Sequence, residues 1–238
     1  MEAVDTSQPG RAREIEAERL LQTLTYGVSH DLRGPLRGIE THAAMLEKRL
    51  GDGAEDALRD HLSGIRDAAR RMGSLLDGLS ELSRANRAEL RPAKVDLSLL
   101  ADWSAAEVCQ MDASGIELEV QPGMVAHGDE RLLKLMLDQL IENACTFARG
   151  SHVRINGEAE DGGFHLRVED RGIGFEAEQA SRLFTPFTRL HGSDAGAGHG
   201  IGLAIVGEVV RRHGGRAWAE AAPGQGATFH VWLPDAPA

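Results

Sequence analysis

The chain has 238 residues, 42% hydrophobic and 26% charged, the proportions of a folded globular protein with room for one or two domains. A formal net charge of −11 argues against nucleic acid as the main partner, because a phosphate backbone would be repelled. No apolar run reaches the roughly 18–20 residues that a bilayer span needs, and Cys109 and Cys145 lack the spacing of a metal site, which suits a reducing cytoplasm.

Residues 1–11 are polar, include Pro9-Gly10 and read as a flexible lead-in. A helical pattern starts near Arg13, with Leu24, Val28, Leu32, Leu36, Ile39, Ala43, Leu46 and Leu50 recurring at steps of four and three. After a Gly51-Asp52-Gly53 turn, a second seam runs through Leu58, Leu62, Ile65, Ala69, Met72, Leu76 and Leu79. Two heptad-like helices joined by a short turn predict an antiparallel hairpin. A single hairpin cannot cover its own seam, so a dimeric four-helix bundle over residues 12–91 is expected. A plain coiled-coil stalk would show the same periodicity.

Pro92 interrupts the helical pattern, and residues 92–238 read as a second domain. Short alternating strands are predicted at Ile116/Leu118/Val120, Val153/Ile155, Phe164/Leu166/Val168 and Phe229/Val231/Leu233. Amphipathic helices at Leu99–Asp112, Glu130–Phe147 and Gly202–His213 separate them, the last stopped by Gly214-Gly215. The fold class is therefore α+β: a helical hairpin followed by an α/β sandwich with its helices on one face.

Within the first seam stands Ser29-His30-Asp31-Leu32-Arg33-Gly34-Pro35-Leu36. His30 is two residues from both Val28 and Leu32, about 200° around a helix from each, so it projects off the apolar seam. Pro35 removes the hydrogen bond to the Asp31 carbonyl and kinks the helix beside this His-Asp pair. Asp31 can orient the imidazole through one ring nitrogen, leaving the other to attack.

Further along, Gln139 and Asn143 lie four apart on the rim of the Glu130–Phe147 helix. Asp170 shares a strand face with Val168, Leu166 and Phe164 and precedes Gly172 and Gly174; a carboxylate ending an apolar face needs a partner. Then come Phe184, Phe187 and Arg189. Gly196-Ala197-Gly198-His199-Gly200-Ile201-Gly202-Leu203 runs into a helix, a pattern that exposes backbone N–H groups to an anion. A Walker-type loop is excluded, because Lys48, Lys94 and Lys134 are the only lysines and none follows a glycine loop.

Taken in order, these segments and Gly224-Gln225-Gly226-Ala227-Thr228 resemble the sensor histidine kinases of two-component systems, over about residues 20 to 235. The His30 segment is similar to the phosphoacceptor box of the phytochrome-like members. The resemblance implies a HisKA dimerisation and phosphotransfer domain followed by an HATPase_c domain of the Bergerat ATP-binding fold. ATP would phosphorylate His30, with Asp31 as base or orienting partner, and the phosphoryl group would pass to an aspartate of a response regulator receiver domain. Asn143 would hold Mg²⁺, and Asp170 would accept from the adenine amino group, with Gly172 and Gly174 letting the backbone approach the base. Phe184 and Phe187 would hinge a short lid, and Arg189 would reach the phosphates. Gln139, Gly198, Gly200, Gly202, Leu203 and Thr228 would complete the nucleotide site.

Three departures from that pattern stand out. Gly34 lies four after the histidine, where relatives carry a Thr or Asn that positions water, so weak phosphatase activity toward the partner is expected. Thr146 replaces a common lysine, which Arg149 or Arg189 would have to cover, and Gln139 replaces an asparagine. The resemblance also implies a bacterial cytoplasmic protein, and a start directly in a helical pattern suggests the kinase core of a longer sensor or one served by a sensor acting in trans. The rivals are a catalytically impaired scaffold that binds a response regulator, and a gyrase- or chaperone-type ATPase. Those ATPases use a glutamate as base where this chain has Gln139.

Overall fold

The computed structural model describes residues 32, 34–46, 48, 55–111, 116–148, 152–160, 162–190 and 200–235. His30, Asp31, Arg149, Gly198 and His199 lie outside them. The chain divides into two compact units, Met1–Leu76 and Asp77–Ala238.

In the first unit, helix α1 (34–46) and the first part of α2 (Glu55–Arg87) form the expected antiparallel hairpin. Gly38 faces Ala68, whose Cβ is 3.6 Å from where a Cβ at Gly38 would stand, so the two helices approach closely there. One turn on, His42 Nδ1 and His61 Nδ1 are 3.2 Å apart, with Gly64 making room for the His42 ring. The seam differs by one residue from the periodicity reading. On α2 the inward residues are Leu58, His61, Ile65, Ala68, Met72 and Leu75, while Leu62 and Leu76 are 48% and 54% exposed. Leu36 on α1 is 48% exposed as well. The heptad thus carries two adjacent stripes, and the hairpin consumes only one.

The second unit begins with the end of α2, where Leu82 and Ala85 are buried. The Arg212 guanidinium donates to the carbonyls of Ala85 and Ala88, satisfying groups that a helix C-terminus leaves open. Strand β1 (Ala93–Asp96) leads into α3 (Leu97–Met111), capped by Asp96 Oδ1 accepting from the Leu99 amide at 3.0 Å. Then follow β2 (Glu117–Val120), β3 (Val125–Gly128), α4 (Glu130–Ala148), β4 (His152–Glu160) and β5 (Gly163–Asp170). A 3₁₀ turn (Ala177–Arg182), α5 (Gly202–Arg212), β6 (Arg216–Ala221) and β7 (Ala227–Pro234) complete the unit.

A five-stranded sheet has the order β2-β4-β5-β7-β6, with β2 parallel to β4 and the other pairs antiparallel, and β1 and β3 form a separate antiparallel pair. α4 is the central element. Its nine buried residues, among them Leu133, Met136, Leu137, Leu140 and Ile141, pack on the face of β4 and β5 that carries Val153, Ile155, Leu166 and Val168. Each such large apolar side chain contributes roughly 1.5–3 kcal/mol of transfer free energy. α3 and α5 flank α4, so helices cover one sheet face, as the strand patterning predicts. The sequence reading missed β1, β3 and β6. Gly214, at φ 74°, stops α5, and the Gly215 amide donates back to the Val210 carbonyl at 3.0 Å.

Candidate nucleotide site

Asp170 is the last residue of β5 and points to the helix side, 6% exposed. Its Oδ1 accepts from the Gly172 amide at 2.8 Å, and the Ala227 amide also donates to it. Burial outweighs those two bonds and raises the carboxyl pKa. The group therefore has acceptor capacity left and gains from a further donor.

The glycines around Asp170 answer to protein contacts first. A Cβ at Gly172 would lie 2.0 Å from the Phe147 carbonyl oxygen, and one at Gly226 would lie 2.0 Å from the Asp170 carbonyl oxygen. Gly174 has φ 60° and would place its Cβ 2.1 Å from the Ala222 carbonyl oxygen. The Gly224 amide donates to the Ile173 carbonyl at 2.7 Å. So the end of α4, the loop after β5 and the β6–β7 turn meet backbone to backbone. What Gly172 and Gly174 admit is the chain's own main chain, not open space beside a base.

On α4, Gln139 and Asn143 are half-buried, as their rim positions predict. Gln139 lies against the start of α5, and a Cβ at Gly202 would come 2.6 Å from its Oε1. Among the described residues no side chain caps the α5 N-terminus, which leaves its first amides open to an anion. Leu203 is half-buried, beside Ile201 (2% exposed) and Ala204. Gly200 has φ 70°, and its carbonyl accepts from the Phe187 amide at 2.8 Å. Phe187 itself sits at φ 64°, a left-handed conformation that a bulky residue rarely adopts. Phe184 packs on α5 at Gly207, and Arg189 is exposed.

Thr228 sits elsewhere than the resemblance implies. It pairs with Glu169, so the two-residue alternation puts its side chain on the helix-free face, opposite to the Asp170 carboxylate. What reaches Asp170 from β7 is the Ala227 amide. The Thr146 hydroxyl donates to the Glu142 carbonyl at 2.8 Å, which leaves it a structural role on α4. Lys134 bridges Glu107 and Asp138 beneath the Trp103 ring, tying α3 to α4.

Sequence reasoning passed over Glu142, although its spacing of four from Asp138 was visible. Burial, then the neighbouring Asp138 carboxylate, raise the Glu142 pKa. Glu81 is raised by burial and by Glu142, Asp138 and Asp77, against the opposing Arg84. This negative field beside the Asn143 amide suits a hard divalent cation that keeps most of its water. Among the described residues no three His, Cys, Asp or Glu side chains converge into a metal cage. Such a cation would thus depend on Asn143 and on phosphate oxygens.

Residues 128–237 match the family described as histidine kinase-, DNA gyrase B- and HSP90-like ATPases, and residues 20–88 match the His Kinase A phospho-acceptor domain. The chain belongs to the sensor histidine kinases. Its second unit therefore contains the ATP-binding domain of that family. This kinase chain is 28% identical over 227 residues to the phytochrome-like protein Cph1 of Synechocystis sp., covering 94% of itself and 30% of that protein. It superposes on full-length ShkA in complex with AMPPNP with a TM-score of 0.61 at 25% identity, covering 91% of this chain and 46% of that one. With the histidine kinase ThkA in complex with the response regulator TrrA it shares the fold, at a TM-score of 0.72, 21% identity, and 95% and 65% coverage. The chain spans about a third of the length of curated relatives such as Cph1, at 30%. Among its described residues no helix is long and apolar enough to cross a membrane.

Proposed function

We propose that the chain is an ATP-dependent protein-histidine autokinase that phosphorylates His30 and passes the phosphoryl group to an aspartate of a response regulator. The observation that carries this reading is the buried Asp170 carboxylate, held with spare acceptor capacity at the end of β5 in a domain that also offers the uncapped α5 N-terminus. An amino-purine supplies the donor that the first lacks, and a polyphosphate supplies the negative charge that the second attracts.

Phosphoryl transfer needs positioning and charge stabilisation more than covalent chemistry from the protein. Gln139 sets the start of α5, and the amides near Gly200–Gly202 face the phosphates together with Arg189. Asn143 would hold Mg²⁺, which would screen the phosphate charge. His30 supplies the nucleophilic nitrogen, and Asp31 orients the ring and takes up positive charge developing on it. The exposed stripe at Leu36, Leu62 and Leu76 supports a second copy completing a four-helix bundle. In this reading residues 12–91 form the phosphotransfer domain and residues 92–238 the ATP-binding domain, acting in a bacterial cytoplasm. Gly34 is exposed and has no side chain to position water, which supports weak phosphatase activity.

Labelled ATP tests the reading directly. The expected outcome is acid-labile, alkali-stable label on the wild-type chain, absent from His30→Ala and transferable to a receiver domain. No label despite measurable ATP binding would assign the chain to the scaffold class.

A further inference from the structure

The sheet face turned away from α3, α4 and α5 carries a line of ionisable and aromatic side chains that the kinase reading does not use. Glu160 ends β4, His165 lies on β5, His230 on β7 and Glu220 on β6. Glu160 Oε1 is 2.8 Å from His165 Nδ1, and His165 Nε2 is 3.1 Å from His230 Nδ1. His230 is 9% exposed; its Nε2 has no hydrogen-bond partner among the described residues and stands 4.0 Å from Glu220 Oε1. Trp218 stacks on His230, ring centroids 4.8 Å apart and planes within 3°, and lies 5.1 Å from His165. Arg216 covers the Trp218 ring at 4.8 Å.

The proton positions follow from the partners. A carboxylate only accepts, so the neutral His165 ring has its proton on Nδ1 and a lone pair at Nε2. That lone pair accepts from His230 Nδ1, which leaves His230 Nε2 as a second lone pair facing the Glu220 carboxylate. One further proton fits there. It turns Nε2 into a donor toward Glu220 and gives the Trp218 face a cation. A second would have to enter the His165–His230 contact, where the two nitrogens already share one proton.

We propose that His165 and His230 form a one-proton switch, loaded at His230 Nε2 and wired to the loop that follows Asp170. The proton comes from solvent and its charge is balanced by Glu220. Burial first, and then His165 and Arg167, hold the His230 pKa below the usual histidine range, while Glu220 and Glu169 oppose them. Glu160 on β4, Glu158 opposite His165 on the same strand and ion-paired with Arg167, and Arg216 on β6 are the further charged neighbours. The site thus takes its proton at a lower pH than an ordinary histidine does. β6 runs from Glu220 into the turn at 222–226, whose Gly224 amide holds the Ile173 carbonyl and whose Ala222 carbonyl abuts Gly174. Movement of Glu220 toward His230 therefore bears on that turn two residues later. The nucleotide role of the loop rests on the function proposed above; the proton coupling does not.

Side-chain and amide NMR of the 238-residue chain, titrated from pH ~8 to ~5 across the histidine range, tests this. The His230 ring should take up one proton, and the Gly224 amide should follow the same midpoint. Glu220→Gln, at a side chain 73% exposed and so harmless to folding, should lower the midpoint and shrink the Gly224 response. His230→Gln should abolish both. Affinity for a non-hydrolysable ATP analogue should change with the same midpoint. A His230 ring that takes up no proton in this range, a Gly224 amide indifferent to pH, pH-independent analogue affinity, or a Glu220→Gln midpoint equal to wild type would each overturn the switch. Analogue binding absent at every pH, with the NMR behaviour intact, would instead remove the kinase reading and leave the switch standing.

Discussion

His213 Nε2 accepts the backbone N–H of Asp129 at 2.9 Å, while its Nδ1 lies 2.7 Å from the Val209 carbonyl. One buried ring thereby ties the end of α5 to the start of α4. Both bonds need the neutral imidazole with its proton on Nδ1, because Nε2 must accept.

Acid should loosen this tie. Burial is the main reason the His213 pKa is lowered, opposed by the Val209 carbonyl and Asp129. The unfolded chain therefore binds a proton that the folded one refuses, and stability falls as pH drops below about 6.5 toward the folded value. Urea midpoints at several pH values should show this slope. It should flatten in His213→Ala, which should also cost roughly 1–3 kcal/mol at neutral pH by leaving the Asp129 amide unpaired. The part due to His230 should persist. An unchanged slope would refute the assignment.

Asp129 caps α4 through the Leu132 amide at 3.2 Å and also holds the Arg91 amide at 2.9 Å. Burial pushes its pKa up, but Arg131 and these amides outweigh that and hold it below the usual range. Its stabilisation is present above about pH 4 and is lost as pH falls through the folded value. Asp129→Ala should cost about 1–2 kcal/mol by equilibrium denaturation, the effect of a lost helix cap.

Two glycine substitutions separate folding from binding. Gly174→Ala places a methyl against the Ala222 carbonyl at a positive φ, so it should destabilise the domain by roughly 1–3 kcal/mol. Gly202→Ala meets only the flexible end of Gln139 and should leave the melting temperature nearly unchanged. Because it displaces Gln139 from the start of α5, analogue affinity should fall several-fold, and Gln139→Ala in the same chain should not weaken it further.

Asp170→Asn keeps an oxygen for the Gly172 amide and removes a charge that burial disfavours. Thermal stability at neutral pH should hold or rise. Affinity for the ATP analogue should drop about tenfold or more, the loss of a charge-assisted hydrogen bond. Equal affinity would show that Asp170 does not touch the nucleotide.

Gly34→Thr has open space among the described residues, none of whose atoms lies within 4 Å of a Cβ there. The variant should keep autophosphorylation and gain dephosphorylation of the partner, read as faster loss of label from the receiver domain. No gain would mean that Gly34 is not what limits that activity.

Legibility tracked the range of the interactions involved. α4, α5 and the strand carrying Asp170 were readable because each has a strong period, and the chain repeats it over many residues. β1 and β3, four residues each, were not: they exist because distant segments pair, Val95 with Ala126. The α2 seam was ambiguous for a related reason. Spacings of three and four fit both the Ala68–Leu75 stripe and its neighbour at Ala69–Leu76, and only contact with α1 selects one.

By itself the sequence determined the order of the two domains, the helical periods of α4 and α5 and the chemical types lined up for a nucleotide, because local period and residue chemistry are written along the chain. The tertiary structure decided which groups meet. It put the Thr228 side chain on the far face from Asp170, filled the glycine spaces with backbone, and placed His165 against His230. Those outcomes turn on register and non-local packing, where a shift of one residue moves a side chain to the opposite face.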